Sequence, residues 1–543
     1  MSEGSSNARS AADREPNRAA ALYNRGGELR QLRRFDEAIA AFDGAIALQP
    51  NYAEAHNGRG IVLANLNRVA DALASFENAV ALKPDYAEAY NNRGMILQDL
   101  ARLDEALASF DLAIAIQADN ARAHNNRGVA LQDLKRFADA LASHDRAIAL
   151  KPDFAEAYYN RAMALHALKR FDEALAGFGK AIALRPDYAE AYHNLGVLLQ
   201  DRKRIDDAIA AYGKAIALNP DNAESHFNLG FCLLHVGRYE QGWPLHEWRL
   251  KIEELSGRRS FAQPRWRGGE DISGKTLFVY REQGLGDTLQ FCRYGRLLKA
   301  RGIKTVMSVQ EPLYRLLRQM SPDVQIIHDG ALPATFDYHC PLMSLPLAFG
   351  TTLDAIPALQ PYIFADRTLR DAWAARLPPR QRLSTGHTKP RIGIAWSGNK
   401  KQKNDHNRST TLRALAPLLS DDAQWISLQK DLRPGDADLL KELPVVSFTD
   451  ELADFADTAA VLDSLDLVIT VDTSVAHLAG AMGKPVWIML TYYPDWRWLL
   501  DRDDCPWYPT ARLFRQDETR SWENVIVRVR DAVHEFVKSR SRA

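Results

Sequence analysis

Residues 85–118 read DYAEAYNNRGMILQDLARLDEALASFDLAIAIQA. Apolar residues recur every three to four positions on either side of a short turn at Ala101-Arg102, the spacing of two amphipathic helices. The unit recurs at a fixed interval of 34 residues, as from Gly60 to Gly94 to Gly128. That shift aligns Gly26, Gly60, Gly94, Gly128, Ala162, Gly196 and Gly230. It also aligns Ala38, Ala72, Ala106, Ala140, Ala174, Ala208 and Gly242, and a third register holds Pro50, Pro84, Ala118, Pro152, Pro186 and Pro220. Chance does not keep three registers in phase. Gly94 and Ala106 are expected where the paired helices cross, because a larger side chain would push the backbones apart. The proline ends one unit and sets up the next turn.

This period and small-residue pattern resemble the tetratricopeptide repeat, which implies an α-solenoid. Six units span 17–220. A seventh runs to about 254 with an altered second helix (Trp243, Pro244, Trp248) and is expected to cap the array against the next domain. Residues 1–16 are polar, lack the apolar core of a secretory signal, and are expected to form a disordered lead-in. Two residues before each small position stand Asn24, Gly58, Asn92, Asn126, Asn160, Asn194 and Asn228. Asparagine is a poor helix-interior residue. Either duplication copied it without purpose, or the row binds something.

Past the repeats, the pattern changes to short apolar runs alternating with helical stretches. Strands are expected at Thr276–Tyr280, Lys304–Val309 and Val324–His328; a second lobe opens with RIGIAWSG (391–398), and strands follow at Gln424–Leu428, Val445–Phe448, Leu467–Val471 and Val486–Leu490. This alternation implies parallel sheets with covering helices. A linker over 255–271, one Rossmann-like lobe over 272–375 and a second over 390–543 follow from it. Ligands of such sheets bind at the carboxyl ends of the strands.

The segment DLVITVDTSVAHLAGAMGKPVWIML (466–490) ends a strand at Val471, turns at Asp472-Thr473 and starts a helix near Ser474. The unpaired N–H groups of that first turn suit a pyrophosphate, and His477 lies one turn further in. Asp472 and Ser474 would also serve as helix caps. The segment resembles the donor-site motif of the ADP-heptose:lipopolysaccharide heptosyltransferase family. REQGLGDTLQF (281–291) resembles the start of the same transferases. The resemblance implies the GT-B fold of two Rossmann-like lobes, donor contacts from Gly286, Asp472, Thr473, Ser474 and His477, and Asp287 as the catalytic base for the acceptor hydroxyl. For Asp287 the alternative is a helix cap.

The loop WSGNKKQKNDHNRSTTL (396–412) places Lys400, Lys401, Lys403, Arg408 and Ser409 where basic groups can neutralise a leaving nucleotide diphosphate. A solvated basic loop is the alternative. Gln429 and Lys430 follow the next strand and are similar to the phosphate-contacting pair of protein O-GlcNAc transferases. The order of solenoid and GT-B unit resembles those enzymes too, which implies a protein acceptor and an acceptor-binding ladder of Asn92, Asn126, Asn160, Asn194 and Asn228. The aromatic loop TYYPDWRWLLDRDDCPWYP (491–509) reads chiefly as a pin that fixes itself to the body of its domain.

Lys plus Arg equals Asp plus Glu, at 69 each, which argues against nucleic acid as the main partner. No apolar run reaches the ~18 residues of a membrane span. Four scattered cysteines and unpaired histidines offer no metal-ligand spacing and fit a reducing, cytoplasmic setting. The expected function is metal-independent transfer of a sugar, with no cofactor, from a nucleotide-diphosphate sugar donor. The acceptor is a protein or glycan, and the repeats engage protein partners. A scaffold with an inactive enzyme half, and a sugar-nucleotide epimerase on the same fold, are the alternatives.

Overall fold

The computed structural model describes residues 4–256, 259–319, 324–358, 361–384, 386–402 and 404–540. The chain divides into two compact units, Met1–Leu198 and Leu199–Ala543. In the first, a helix over Gly4–Gln31 is followed by Phe35–Leu48 and then by the pairs Ala53–Asn65/Val69–Leu82, Ala87–Asp99/Leu103–Ile116, Ala121–Asp133/Phe137–Leu150 and Ala155–Ala167/Phe171–Leu184. The expected disordered lead-in is therefore helical from Gly4 onward, in keeping with its alanine and arginine content.

The repeat chemistry is visible in the turns. Arg33, Asn67, Ala101, Lys135 and Lys169 all adopt φ of 56–60° between the paired helices. The strain of that left-handed turn recurs once per unit, and in the last unit Gly237 occupies the same phase at φ 76°. The small positions face rings. A Cβ on Gly60 would lie 2.7 Å from the Phe76 ring, and one on Gly94 would lie 2.6 Å from Phe110. The paired helices approach as closely as the sequence requires.

The second unit contains helices Ile205–Leu218, Ala223–His235 and Tyr239–His246 and a 3-10 turn over Glu247–Lys251. Two parallel sheets follow. The first holds β1 (Thr276–Tyr280), β2 (Lys304–Val309), β3 (Val324–His328) and β4 (Tyr338–Pro341) in the order β3-β2-β1-β4. The second holds β5 (Arg391–Ala395), β6 (Gln424–Ser427), β7 (Val445–Ser447), β8 (Leu467–Val471), β9 (Val486–Leu490) and β10 (Ala511–Arg515) in the order β10-β9-β8-β5-β6-β7. Strand order reverses beside β1 and beside β5. In open α/β sheets such reversals leave a crevice at the carboxyl ends of the strands. β5, β8 and β9 are buried throughout, which explains their unbroken apolar reading.

The last repeat is built into this α/β body. Trp243 Nε1 donates to Thr351 O at 2.8 Å, and Trp507 Nε1 donates to Tyr239 Oη at 2.9 Å. The Arg249 guanidinium grips both oxygens of Glu282 at 3.0 and 2.9 Å, with both side chains fully buried. Leu234, Tyr239 and Trp243 share one apolar core with β1 and the helices of both lobes. The expected linker also needs correction. Trp266 is buried and its N–H donates to His339 O beside β4, so this part of 255–271 belongs to the first lobe.

Candidate functional site

The carboxyl ends of the two sheets meet at a cavity of about 410 Å³. Gln283, Gly284, Gly286 and Asp287 enter it after β1. Asn399, Lys401, Gln402 and Arg408 enter after β5, Asp472, Thr473, Ser474 and His477 after β8, and Asp495 and Arg497 after β9.

The turn after β8 leaves its helix open to a ligand. Thr473 is the residue before the Ser474–Ala481 helix and gives it no side-chain cap. Its hydroxyl pairs with Thr470 Oγ1 instead, at 3.1 Å. The first N–H groups of the helix thus keep their partial positive charge for whatever occupies the cavity. His477 is held by Tyr508 Oη at 2.9 Å from Nδ1. Burial pushes its pKa far below the usual range and the charges of Arg497, Arg293 and Arg408 add to this, so the imidazole is neutral. Opposite it, a Cβ on Gly286 would lie 2.6 Å from His477 Cδ2. Only glycine admits this approach of the two lobes.

Asp287 closes the turn on the first lobe. Its Oδ2 accepts from Gly284 N at 2.7 Å, and its Oδ1 accepts from Arg497 Nη2 at 2.5 Å. The carboxyl thus has a capping role as well as a place in the cavity. Burial raises its pKa and the Arg497 charge opposes the rise. Arg497 is itself buried, stacked at 4.5 Å on Trp496, and bonded to Gln290 Oε1 and, at 2.9 Å, to Asp495 Oδ1. Asp472 is half-buried. Burial, then the charge of Asp495, lifts its carboxyl to about 6, against the pull of Trp498, Arg408 and Arg497.

Four residues expected at the donor site lie outside the cavity lining. The Gln429 amide accepts from Trp396 N and Ser397 N at 3.1 Å each and donates to Ser397 O and Asp431 O. It is a staple for backbone that has just left β5. Ser409 Oγ accepts from Gly398 N at 3.0 Å and donates to Asp405 at 2.8 Å, fixing the same loop. Lys400 is exposed with Nζ 3.5 Å from Leu432 O, and exposed Lys430 donates to Ala453 O. Of the cations in the loop after β5, Lys401 and Arg408 reach the cavity, and Lys403 lies outside the described residues.

The repeat asparagines form bonds of their own. Asn92 Nδ2 donates to Asn57 Oδ1, Asn126 Nδ2 to Asn91 Oδ1 and Asn160 Nδ2 to Asn125 Oδ1, at 3.0–3.1 Å. Asn194 Nδ2 donates to Tyr159 Oη at 2.8 Å. Each bond ties one repeat to its predecessor, so the recurring Asn has an architectural reason. In the second unit Asn228 bonds the Tyr212 hydroxyl.

Sequence reasoning passed over Asp495 and Arg497. The signal lay in Pro494–Trp498, where an acid and a base alternate with tryptophans. Trp496 and Trp498 are buried as pins, so the charges between them had to find partners inside.

Tetratricopeptide-repeat families match residues 3–53, 23–87, 57–121, 121–154 and 145–176, and a TPR-repeat family matches 163–202 and 198–237. Glycosyltransferase family 9 (heptosyltransferase) matches residues 452–502, the stretch that holds Asp472, Thr473, Ser474, His477, Asp495 and Arg497. The chain therefore carries tetratricopeptide repeats ahead of an α/β region, part of which matches glycosyltransferase family 9. Protein FlbA of Caulobacter vibrioides is 28% identical over 333 residues, covering 56% of this chain and 54% of FlbA. The chain thus spans about half the length of the curated relative it matches. Among solved structures, the Cut9–Hcn1 hetero-tetramer of APC/C aligns at 19% identity with TM-score 0.38, over 41% of this chain and 45% of its own. YrrB, a TPR protein, aligns at 27% identity with TM-score 0.29, over 34% and 95%. No helix among the described residues is long and apolar enough to cross a membrane.

Proposed function

We propose that this chain is a glycosyltransferase that moves a sugar from a nucleotide-diphosphate sugar to a protein acceptor presented by the repeats. One observation carries the reading. A single cavity sets an uncapped helix N-terminus, Arg408 and Lys401 beside several carboxylates. The first group of features neutralises a leaving diphosphate, which is the main electrostatic task of the transfer. The carboxylates supply a base for the acceptor hydroxyl, and Asp287 is the one to which the sequence points. Asp472, Thr473, Ser474 and His477 hold the donor in this reading, and the family 9 match over the same segment supports it. Arg408, Lys401 and the helix end would do the electrostatic work without a metal.

The test is a thermal-shift panel of nucleotide-diphosphate sugars followed by product analysis. A donor at 100 times its Kd should add about 2.7 kcal/mol of stability. Arg408→Ala should abolish most of that gain. If no nucleotide sugar stabilises the wild-type chain, the reading fails. A donor that binds without transfer or hydrolysis points to an inactive scaffold, and interconversion of the free sugar nucleotide points to an epimerase.

A further inference from the structure

A second cavity of about 370 Å³ adjoins the first. It shares Gln402, Arg408, Asp472 and Asp495 with it, and its far wall includes Gln200 and Phe231 from the last repeats. Asp287 lines the first cavity alone. We infer that Asp472, at the junction of the two cavities, is the general base that takes the proton from an acceptor hydroxyl arriving through the second. The inference rests on the transferase reading above and reassigns one role within it.

Three carboxylates compete for that role, and their partners separate them. Asp287 is held at both oxygens by Gly284 N and Arg497 Nη2. Asp495 Oδ1 accepts from Arg497 Nη1 at 2.9 Å and from Arg497 N at 3.0 Å. Each fixed donor occupies a lone pair that would otherwise be open to the proton of an incoming hydroxyl. Asp472 accepts no hydrogen bond that meets normal geometry among the described residues. The buried Trp498 Nε1 faces it as a neutral donor outside normal hydrogen-bond geometry, and it favours the ionised form. Asp472 is also the one of the three that lines both cavities without an arginine bonded to its carboxylate.

The surrounding charges agree with this assignment. Asp495 repels a negative charge on Asp472, while Arg497 and Arg408 attract it, and neutral His477 adds none. Asp201 adds a carboxylate on the far wall of the second cavity. Burial and Asp495 prevail, and the carboxyl titrates at about 6, close to working pH, where a base is most effective. In the reaction, the acceptor O–H gives its proton to the Asp472 carboxylate and the acceptor oxygen bonds to the anomeric carbon. The bond from that carbon to the diphosphate oxygen breaks, and its electron pair leaves with the nucleotide diphosphate.

The experiment is a pH–rate profile on the full chain, with transfer and donor hydrolysis both read as release of nucleoside diphosphate. The wild-type rate should fall as pH drops through about 6, because protonation removes the base. Asp472→Asn preserves the shape of the side chain. It should lose about 10²–10⁴-fold in rate and lose the acid limb. Asp287→Asn should be slower yet keep the limb. Wild-type turnover in Asp472→Asn, or an acid limb that survives in it, overturns the assignment. If Asp472→Asn fails to fold, Asp472→Glu replaces it: the assignment expects a slower enzyme with a displaced limb, and an unmoved limb overturns it. A wild-type chain inert toward every donor overturns the transferase reading together with this one, whereas an active wild type with an active Asp472→Asn overturns this one alone.

Discussion

The repeats of the first unit and the α/β body of the second satisfy their polar groups over very different distances along the chain. In the repeats, Arg59 pairs with Asp43, Arg127 with Asp111 and Arg161 with Asp145, each across 16 residues, and the asparagine bonds reach 35. In the body, Arg497 reaches Asp287 across 210 residues, and Arg293 donates to Trp507 O across 214. Contacts of the first kind are local and interchangeable, so losing one leaves its neighbours in place. Contacts of the second kind converge, and removing one strands several buried groups at once. The consequence of a substitution should follow from which regime it falls in.

The largest effect is expected where repeat helices cease to be repeats and become core. A fragment of 265–543 holds both sheets but discards Tyr239, Trp243 and Arg249, leaving Glu282 buried without its partner. It should be insoluble or unfolded. A fragment from residue 187 keeps the whole Ala189–Asp201 helix and the later repeats, and should unfold cooperatively. Within the full chain, Trp243→Ala should cost about 3–5 kcal/mol from the cavity it leaves. Arg249→Met should cost a similar amount, about 3–5 kcal/mol, by breaking a buried pair. Calorimetry of the fragments and variants checks this. A well-folded 265–543 would return the last repeat to the status of a detachable cap.

That boundary shows what the sequence could and could not reveal. Periodicity made the repeats plain, because each helix repeats its small residues and its turn at a fixed interval. β1, β2, β8 and β9 were legible as largely buried apolar runs with the limits observed, and β3 was read at its observed limits although none of its residues is buried. β4 and β10 were missed: Tyr338–Pro341 is short and ends in proline, and Ala511–Arg515 alternates with charge. At the site, Asp472, Ser474, His477, Gly286, Asp287 and Arg408 were read from motifs and do converge on the cavity. Gln429 and Ser409 were misplaced because a motif gives position along a strand or loop but not which backbone groups nearby lack partners. Asp495 and Arg497 escaped because their contacts are long-range, and nothing near them in sequence announces Asp287.

A smaller effect, opposite in sign to most, is expected at Asp472. Its folded pKa of about 6 lies above the ordinary aspartate value, so the native state holds the proton more tightly than the unfolded chain does. Stability then falls as pH rises from about 4 to above 6. Asparagine never ionises. Asp472→Asn should therefore stabilise the apo protein at pH 7 by on the order of 1–3 kcal/mol, and the advantage should vanish below about pH 4. Unfolding midpoints measured across pH give the difference directly. Equal stabilities at pH 7 would mean that the carboxylate is not strained by burial.

The smallest expected effects lie in the asparagine row, where two roles must be told apart. Asn126 and Asn160 each donate one Nδ2 hydrogen bond to the preceding repeat. The Oδ1 of each accepts no hydrogen bond among the described residues. An amide offers acceptor and donor independently, so the same side chain can join two repeats and still meet the N–H of an extended peptide. Losing one inter-repeat bond should cost only about 0.5–1.5 kcal/mol, and Asn126→Ala alone should lower the unfolding midpoint slightly. The useful variant is Asn126, Asn160 and Asn194 changed together to Ala. If the row serves an acceptor as well as the array, transfer to a protein substrate should fall sharply, donor hydrolysis by water should persist, and the midpoint should drop by the sum of the lost bonds. A drop in midpoint with transfer intact would leave the row a purely architectural seam. A loss of transfer with the midpoint unmoved would mean that the inter-repeat bonds contribute nothing net, and that the asparagines are kept for the acceptor alone.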